Sequence, residues 1–181
     1  MQSDKIHRTF SIPHIGLKIG IHHFEYSIDD SFFEAFEGAL IEHCRVNVKL
    51  ELEKKETLFI LKFFIDGVVE VICDRCAEPF EKEIFGDFQC LVKYKDEKDT
   101  DLEDDDEIIY IFRDDTHIRL SHLIYDYINL SLPMKLTHPD IEDVTPGCNP
   151  EFLNYLSNNS KIKDNAIDPR WNALLDLKNK N

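Results

Sequence analysis

Cys73-Asp74-Arg75-Cys76 sets two thiols with two residues between them. Two thiolates at that spacing in a tight turn can occupy two corners of the tetrahedron that zinc prefers. The other two corners must come from elsewhere, and His138 and Cys148, ten residues apart after Pro133, are the best donors left. Three readings stand side by side: a zinc site of Cys73, Cys76, His138 and Cys148, a reduced structural pair at a turn, and thiol redox chemistry. Redox is disfavoured because β-type sequence flanks the pair on both sides. A redox motif sets its first cysteine at a helix N-terminus, where the dipole lowers the thiol pKa. Cys44 and Cys90 read as small hydrophobes, Cys90 because it shares an alternating face with Phe88 and Val92.

The remaining polar residues form no catalytic constellation. The chain has no nucleophile elbow, phosphate loop, dinucleotide fingerprint or H-E-x-x-H motif. His22 and His23 adjoin an expected strand, so their imidazoles point to opposite faces and do not share a metal. From Asp96 to Glu107 there are nine acidic residues and one Lys. This run lacks the D-x-D-x-D-G spacing of a calcium loop, and its expected form is a solvated acidic loop.

The elements that must position these residues are legible as changes of period. Val46, Val48, Leu50 and Leu52 alternate with polar residues, as in a half-buried strand. Leu58 to Ile65 is almost wholly apolar, which predicts cover on both faces. Asp66-Gly67 is expected to interrupt the chain before a third strand. Strands are predicted near 46–53, 57–65, 67–73, 80–86 and 87–95, with a return near 108–112. The Cys73/Cys76 pair then falls at a hairpin tip. Phe10 to Ile28 reads as extended chain with turns, and Ser31 with Glu34 as a capping box opening a short helix that carries Phe32, Phe33, Phe36 and Leu40. From Ile118 to Leu130 apolar residues recur at three and four, so a long amphipathic helix over 120–131, stopped by Pro133, should cover the sheet. The segment 134–181 is polar and loop-rich, with a short terminal helix begun by Asp168-Pro169. The fold class is therefore α+β: a twisted antiparallel meander, with a barrel-like closure as its variant, covered by one long and several short helices. We expect a single domain over 1–181.

Bulk properties bound what this fold can do. Apolar residues make up 43% of the 181, which places the chain outside the disordered class. No apolar stretch is long enough to span a membrane and the N-terminus is too polar for a signal peptide, so the cytoplasm is the expected compartment. The formal net charge of −15 repels nucleic acid at long range and attracts basic partners.

At Cys73-Asp74-Arg75-Cys76-Ala77-Glu78-Pro79-Phe80 the sequence resembles the YceD family of bacterial large ribosomal RNA accumulation proteins. Asn129-Leu130-Ser131-Leu132-Pro133-Met134 and Asp168-Pro169-Arg170-Trp171-Asn172-Ala173-Leu174-Leu175 agree in order, and the resemblance spans roughly residues 25 to 178. It implies a role in accumulation of large-subunit ribosomal RNA and no catalytic residue. Many relatives carry a second cluster of cysteines between the helix and the Asp-Pro-Arg motif, where this chain offers only His138 and Cys148. The departure fits either one mixed-ligand site or a fold retained without its metal. The expected function is a non-enzymatic ribosome-biogenesis accessory. It would bind a basic ribosomal protein or assembly factor of the large subunit, with direct contact to ribosomal RNA secondary. The alternative is a zinc- or thiol-dependent enzyme using the Cys73/Cys76 pair.

Overall fold

The computed structural model describes residues 2–95, 108–141 and 145–160. The acidic run 96–107 and the terminal helix expected from Asp168 lie outside them. Contacts divide the chain into two compact units, Met1–Cys73 with Glu78–Leu136, and Asp74–Ala77 with Thr137–Asn181.

In the first unit, alternating sequence becomes an open five-stranded sheet of β2 (Gly20–Ile28), β3 (Cys44–Lys54), β4 (Leu58–Ile72), β5 (Pro79–Lys95) and β6 (Ile108–Phe112), in that order. The edges β2 and β6 do not meet, so the sheet is no closed barrel. Neighbours from β2 to β5 are antiparallel, but β6 runs parallel to β5, with Leu91 opposite Ile108. A parallel return needs a connection of about a dozen residues, and 96–107 supplies that length. The expectation of a purely antiparallel meander is corrected at this edge.

The two strands expected over 57–65 and 67–73 are one, and so are those over 80–86 and 87–95. Asp66-Gly67 does not break β4 because Gly67 lies opposite Val46 at a close backbone approach. A Cβ at Gly67 would collide with the Arg45 carbonyl oxygen and come within 2.6 Å of the Val46 Cα. Glycine here serves proximity, not a turn.

Phe59, Leu61, Phe63 and Ile65 of β4 are buried, while their even-numbered neighbours are not, and Phe64 is 43% exposed. The apolar run of β4 is therefore covered on one face only. Each large side chain buried this way contributes about 2 kcal/mol.

The covering helix, α3 (Ser121–Leu130), is ten residues, not a long one. It buries Ile124 and Ile128 completely in the core shared with β3, β4 and β5. The Tyr127 ring stacks on Phe88 at 4.5 Å and meets Phe63 edge-on at 5.1 Å. Among the described residues, two helices complete this unit. In α2 (Asp30–Phe33) the cap is Asp29, whose carboxylate accepts the Ser31 N–H, so the Ser31 capping box does not form. Leu40, read as part of that helical face, is 84% exposed. The helix α1 (Gln2–Thr9) carries no apolar periodicity in its sequence, since its residues are mostly polar. The short strands β1 (Ser11–Pro13) and β7 (His117–Arg119) pair antiparallel.

The second unit is less loop-rich than its composition suggests. It holds the paired strands β8 (Asp140–Ile141) and β9 (Thr145–Pro146) and the helix α4 (Pro150–Ser160). Among the described residues no helix is long and apolar enough to cross a membrane.

Candidate metal centre

The β4–β5 hairpin narrows to a turn at 74–76, and the Cys73 N–H donates to the Glu78 carbonyl at 3.0 Å. Ala77 sits at φ 56°, the only non-glycine residue with positive φ among those described. Such a conformation costs on the order of 1 kcal/mol for a residue with a Cβ, so the surroundings hold the turn in a shape its sequence does not prefer.

The ligand atoms of Cys73, Cys76, His138 and Cys148 all lie within 4.8 Å of one another. The three cysteines are buried and unbridged, and His138 is half-buried. His138 presents Nδ1 to the sulfurs, 3.4 Å from Cys76 Sγ and 3.7 Å from Cys148 Sγ. In a tetrahedral zinc site with ordinary bond lengths, a sulfur and a nitrogen ligand stand about 3.6 Å apart. Both observed spacings bracket that edge. The donor set of three sulfurs and one imidazole is one that structural zinc takes, and four protein ligands leave no open position for substrate.

Two neighbours of this cluster are not apparent from motif reading. Arg75 donates from Nη1 to Cys148 Sγ at 3.6 Å and approaches the Asp140 carboxylate at 3.9 Å. Were zinc bound, three thiolates around it would leave a net negative charge, which the guanidinium would offset. Arg75 lies inside the Cys-x-x-Cys turn, but nothing in one dimension says which sulfur it reaches. Gly147, next to Cys148, has no room for a side chain, because a Cβ there would strike the Pro139 carbonyl oxygen. The close approach of the segments carrying His138 and Cys148 depends on this glycine.

The other two cysteines stand apart from this chemistry. Burial, followed by the charges of Asp30 and Asp29, pushes the Cys44 thiol up to about 12. Burial also raises Cys90, whose sulfur lies against the Tyr127 hydroxyl. Both are neutral packing groups at physiological pH. His22 and His23 take different exposures on β2, and His22 bonds through Nε2 to the Lys18 carbonyl at 2.8 Å.

A family model described as large ribosomal RNA subunit accumulation protein YceD matches residues 61–178, well over half of the chain. The match covers β4 from Leu61 onward, β5, α3 and all four residues of the cluster. No curated protein and no solved structure matches the chain.

Proposed function

The chain belongs to the YceD family of large ribosomal RNA subunit accumulation proteins, and from that premise we propose that it is a non-enzymatic accessory of large-subunit production that binds a basic ribosomal protein or assembly factor. The family description implies a role in accumulation of that RNA and names no reaction. The observation that carries the partner reading is the concentration of charge at 96–107, nine acidic residues and one Lys, in a chain of net charge −15. Such a concentration of charge attracts a basic protein and speeds its capture, whereas a broad RNA-binding face would need clustered Lys and Arg. Only 21 basic residues stand against 36 acidic ones. RNA contact is accordingly secondary, and the protein works in the cytoplasm where ribosomes are assembled.

Cys73, Cys76, His138 and Cys148 hold zinc in this reading, and its role is structural. When bound, zinc would tie the turn at 74–76 to the segments bearing His138 and Cys148, a folding contribution and not a reaction. The rival, a zinc or thiol enzyme, needs an open coordination position or an exposed thiolate. Buried sulfurs in a complete ligand set argue against both.

Replacing 96–107 with a neutral linker of equal length tests the partner reading. Large-subunit RNA accumulation in cells should fall, and capture of the basic partner should be lost. Full cellular activity of that variant would overturn the reading, as would tight partner-free binding of large-subunit RNA at physiological salt. Turnover of a disulfide substrate by the purified protein would favour the enzyme.

A further inference from the structure

We propose that a depression in the first unit, where α1, β7 and α3 converge, is a contact site for the phosphodiester backbone of single-stranded RNA. The choice of RNA rests on the functional reading above. The site itself rests on charge placement that runs against the rest of the molecule. The depression measures about 640 Å³ and is lined by His7, Arg8, His117, Arg119 and His122, with Asp115 as its one carboxylate among the described residues. Its volume is that of a small-ligand site, about 300–1,000 Å³, so it admits a nucleotide and not merely an ion.

These residues come from distant parts of the chain, and general helix electrostatics accounts for only two of them. His7 and Arg8 fall in the last turn of α1, where the dipole favours cations. His117 and Arg119 project from β7 on either side of the buried Ile118. His122 lies in the first turn of α3, where the dipole disfavours a cation but favours an anion. No side chain caps that turn, since Leu120 occupies the cap position. Of α3 the depression reaches His122, in the turn whose dipole favours an anion, and it sets two arginines beside that turn. Arg8 and Arg119 form no ion pair among the described residues, and the Asp115 carboxylate already accepts the Phe112 N–H at 2.9 Å.

The shape of the lining side chains favours nucleic acid over an acidic peptide. The five arginine and histidine side chains are planar, and none of the lining residues is a lysine. Arginine planes and imidazoles stack on unpaired bases while bonding the backbone beside them. The His7 and His122 rings are already stacked on each other at 5.2 Å, with Phe36 edge-on to both, and the Ser121 hydroxyl bonds His7 Nδ1 at 2.7 Å. Their orientation is thus set before any ligand arrives.

The test is binding of a fluorescent single-stranded RNA oligonucleotide to the full-length protein across a salt series, beginning at low ionic strength. We expect binding whose logarithm falls with the logarithm of salt by about 0.7 for each phosphate engaged. Changing Arg8→Ser together with Arg119→Ser should weaken it about tenfold or more, as expected for two charge-assisted contacts. Inorganic phosphate should compete, and His122→Asn should reduce affinity with the fold intact by circular dichroism. Three results would overturn the site: no binding at low salt, affinity unchanged in the double-arginine variant, or equal binding of a polyglutamate peptide. The neutral-linker variant of 96–107 separates this site from the partner reading, because it should lose the basic partner yet bind RNA as well as or better than the parent. The double-arginine variant should do the reverse.

Discussion

Cys44 and Cys90, at 6% and 3% exposure, are as buried as Cys76 and Cys148, at 8% and 4%, yet the two sets differ in what faces their sulfurs. Cys44 Sγ points its thiol at the Ile28 carbonyl, 3.9 Å away, and Cys44 belongs to the same apolar core as Val46 and Val69. Cys76 and Cys148 instead share one imidazole nitrogen, and Cys148 also meets a guanidinium. Depth of burial therefore does not separate a packing thiol from a thiol of the candidate metal centre. What separates them is whether other donors converge on the same point. The same contrast holds for the regions that carry them: the sheet is held by apolar area spread over many residues, the cluster by a few directional groups.

Removing metal should separate the two sets of thiols most strongly. Zinc reconstitution followed by chelation should abolish folding of the cluster region, since structural zinc contributes on the order of 10 kcal/mol at neutral pH. Cys76→Ser or Cys148→Ser should lower bound zinc from one per chain toward zero, while Cys44→Ala and Cys90→Ala leave it at one. Equal zinc content in all four variants, by elemental analysis, would erase the distinction.

On the sheet side, Ile128→Asp places an unpaired charge at a fully buried position of α3. A loss of about 4 kcal/mol or more is expected, whether or not zinc is present. An unchanged melting temperature would show that α3 does not cover the sheet. Gly67→Ala should cost about 1–3 kcal/mol, because the new methyl must push the Arg45 carbonyl away from β4. Denaturant unfolding measures it, and an increase in stability would contradict the close approach.

The smallest effect concerns the exposed pair beside Cys44. Asp30 bonds His43 Nδ1 at 2.9 Å and the Cys44 N–H at 2.8 Å. The His43 side chain holds Asp30 below its ordinary 3.8, and Asp30 holds His43 above its ordinary 6.5. A raised histidine stabilises the fold at pH values below 6.5, and that contribution is lost as pH climbs through the raised value. A lowered carboxylate stabilises it above 3.8 and is lost as pH falls through the lowered value. The difference in melting temperature between the parent and His43→Gln should thus be greatest in mildly acidic buffer and shrink in alkali and in high salt. A difference that grows with pH would refute the pairing.

Several of these features can be read in one dimension because they follow from local periodicity. The alternation through Val46, Val48, Leu50 and Leu52 has one solution, a strand with that face buried. The three- and four-residue recurrence from Ile118 to Leu130 yields a helix packed by Ile124 and Ile128, although Ile118 falls in β7 and Leu130 is exposed. The chemical types of Cys73, Cys76, His138 and Cys148 also mark them as donors wherever they lie. Other features have no local signature. Leu58 to Ile65 is apolar on both faces, so whether one face or both are covered depends on what the rest of the chain provides, and here the even-numbered face stays open. The parallel run of β6 depends on a crossover whose direction no strand encodes. Gly67 reads as a turn until its backbone neighbour is known. His7, Arg8, His117, Arg119 and His122 span more than a hundred residues, and nothing in their spacing announces that they share a depression. Periodicity records which face of an element is apolar. Which distant element meets that face, and which charges are left side by side, is decided by tertiary packing, because these are relations between segments that local sequence does not carry.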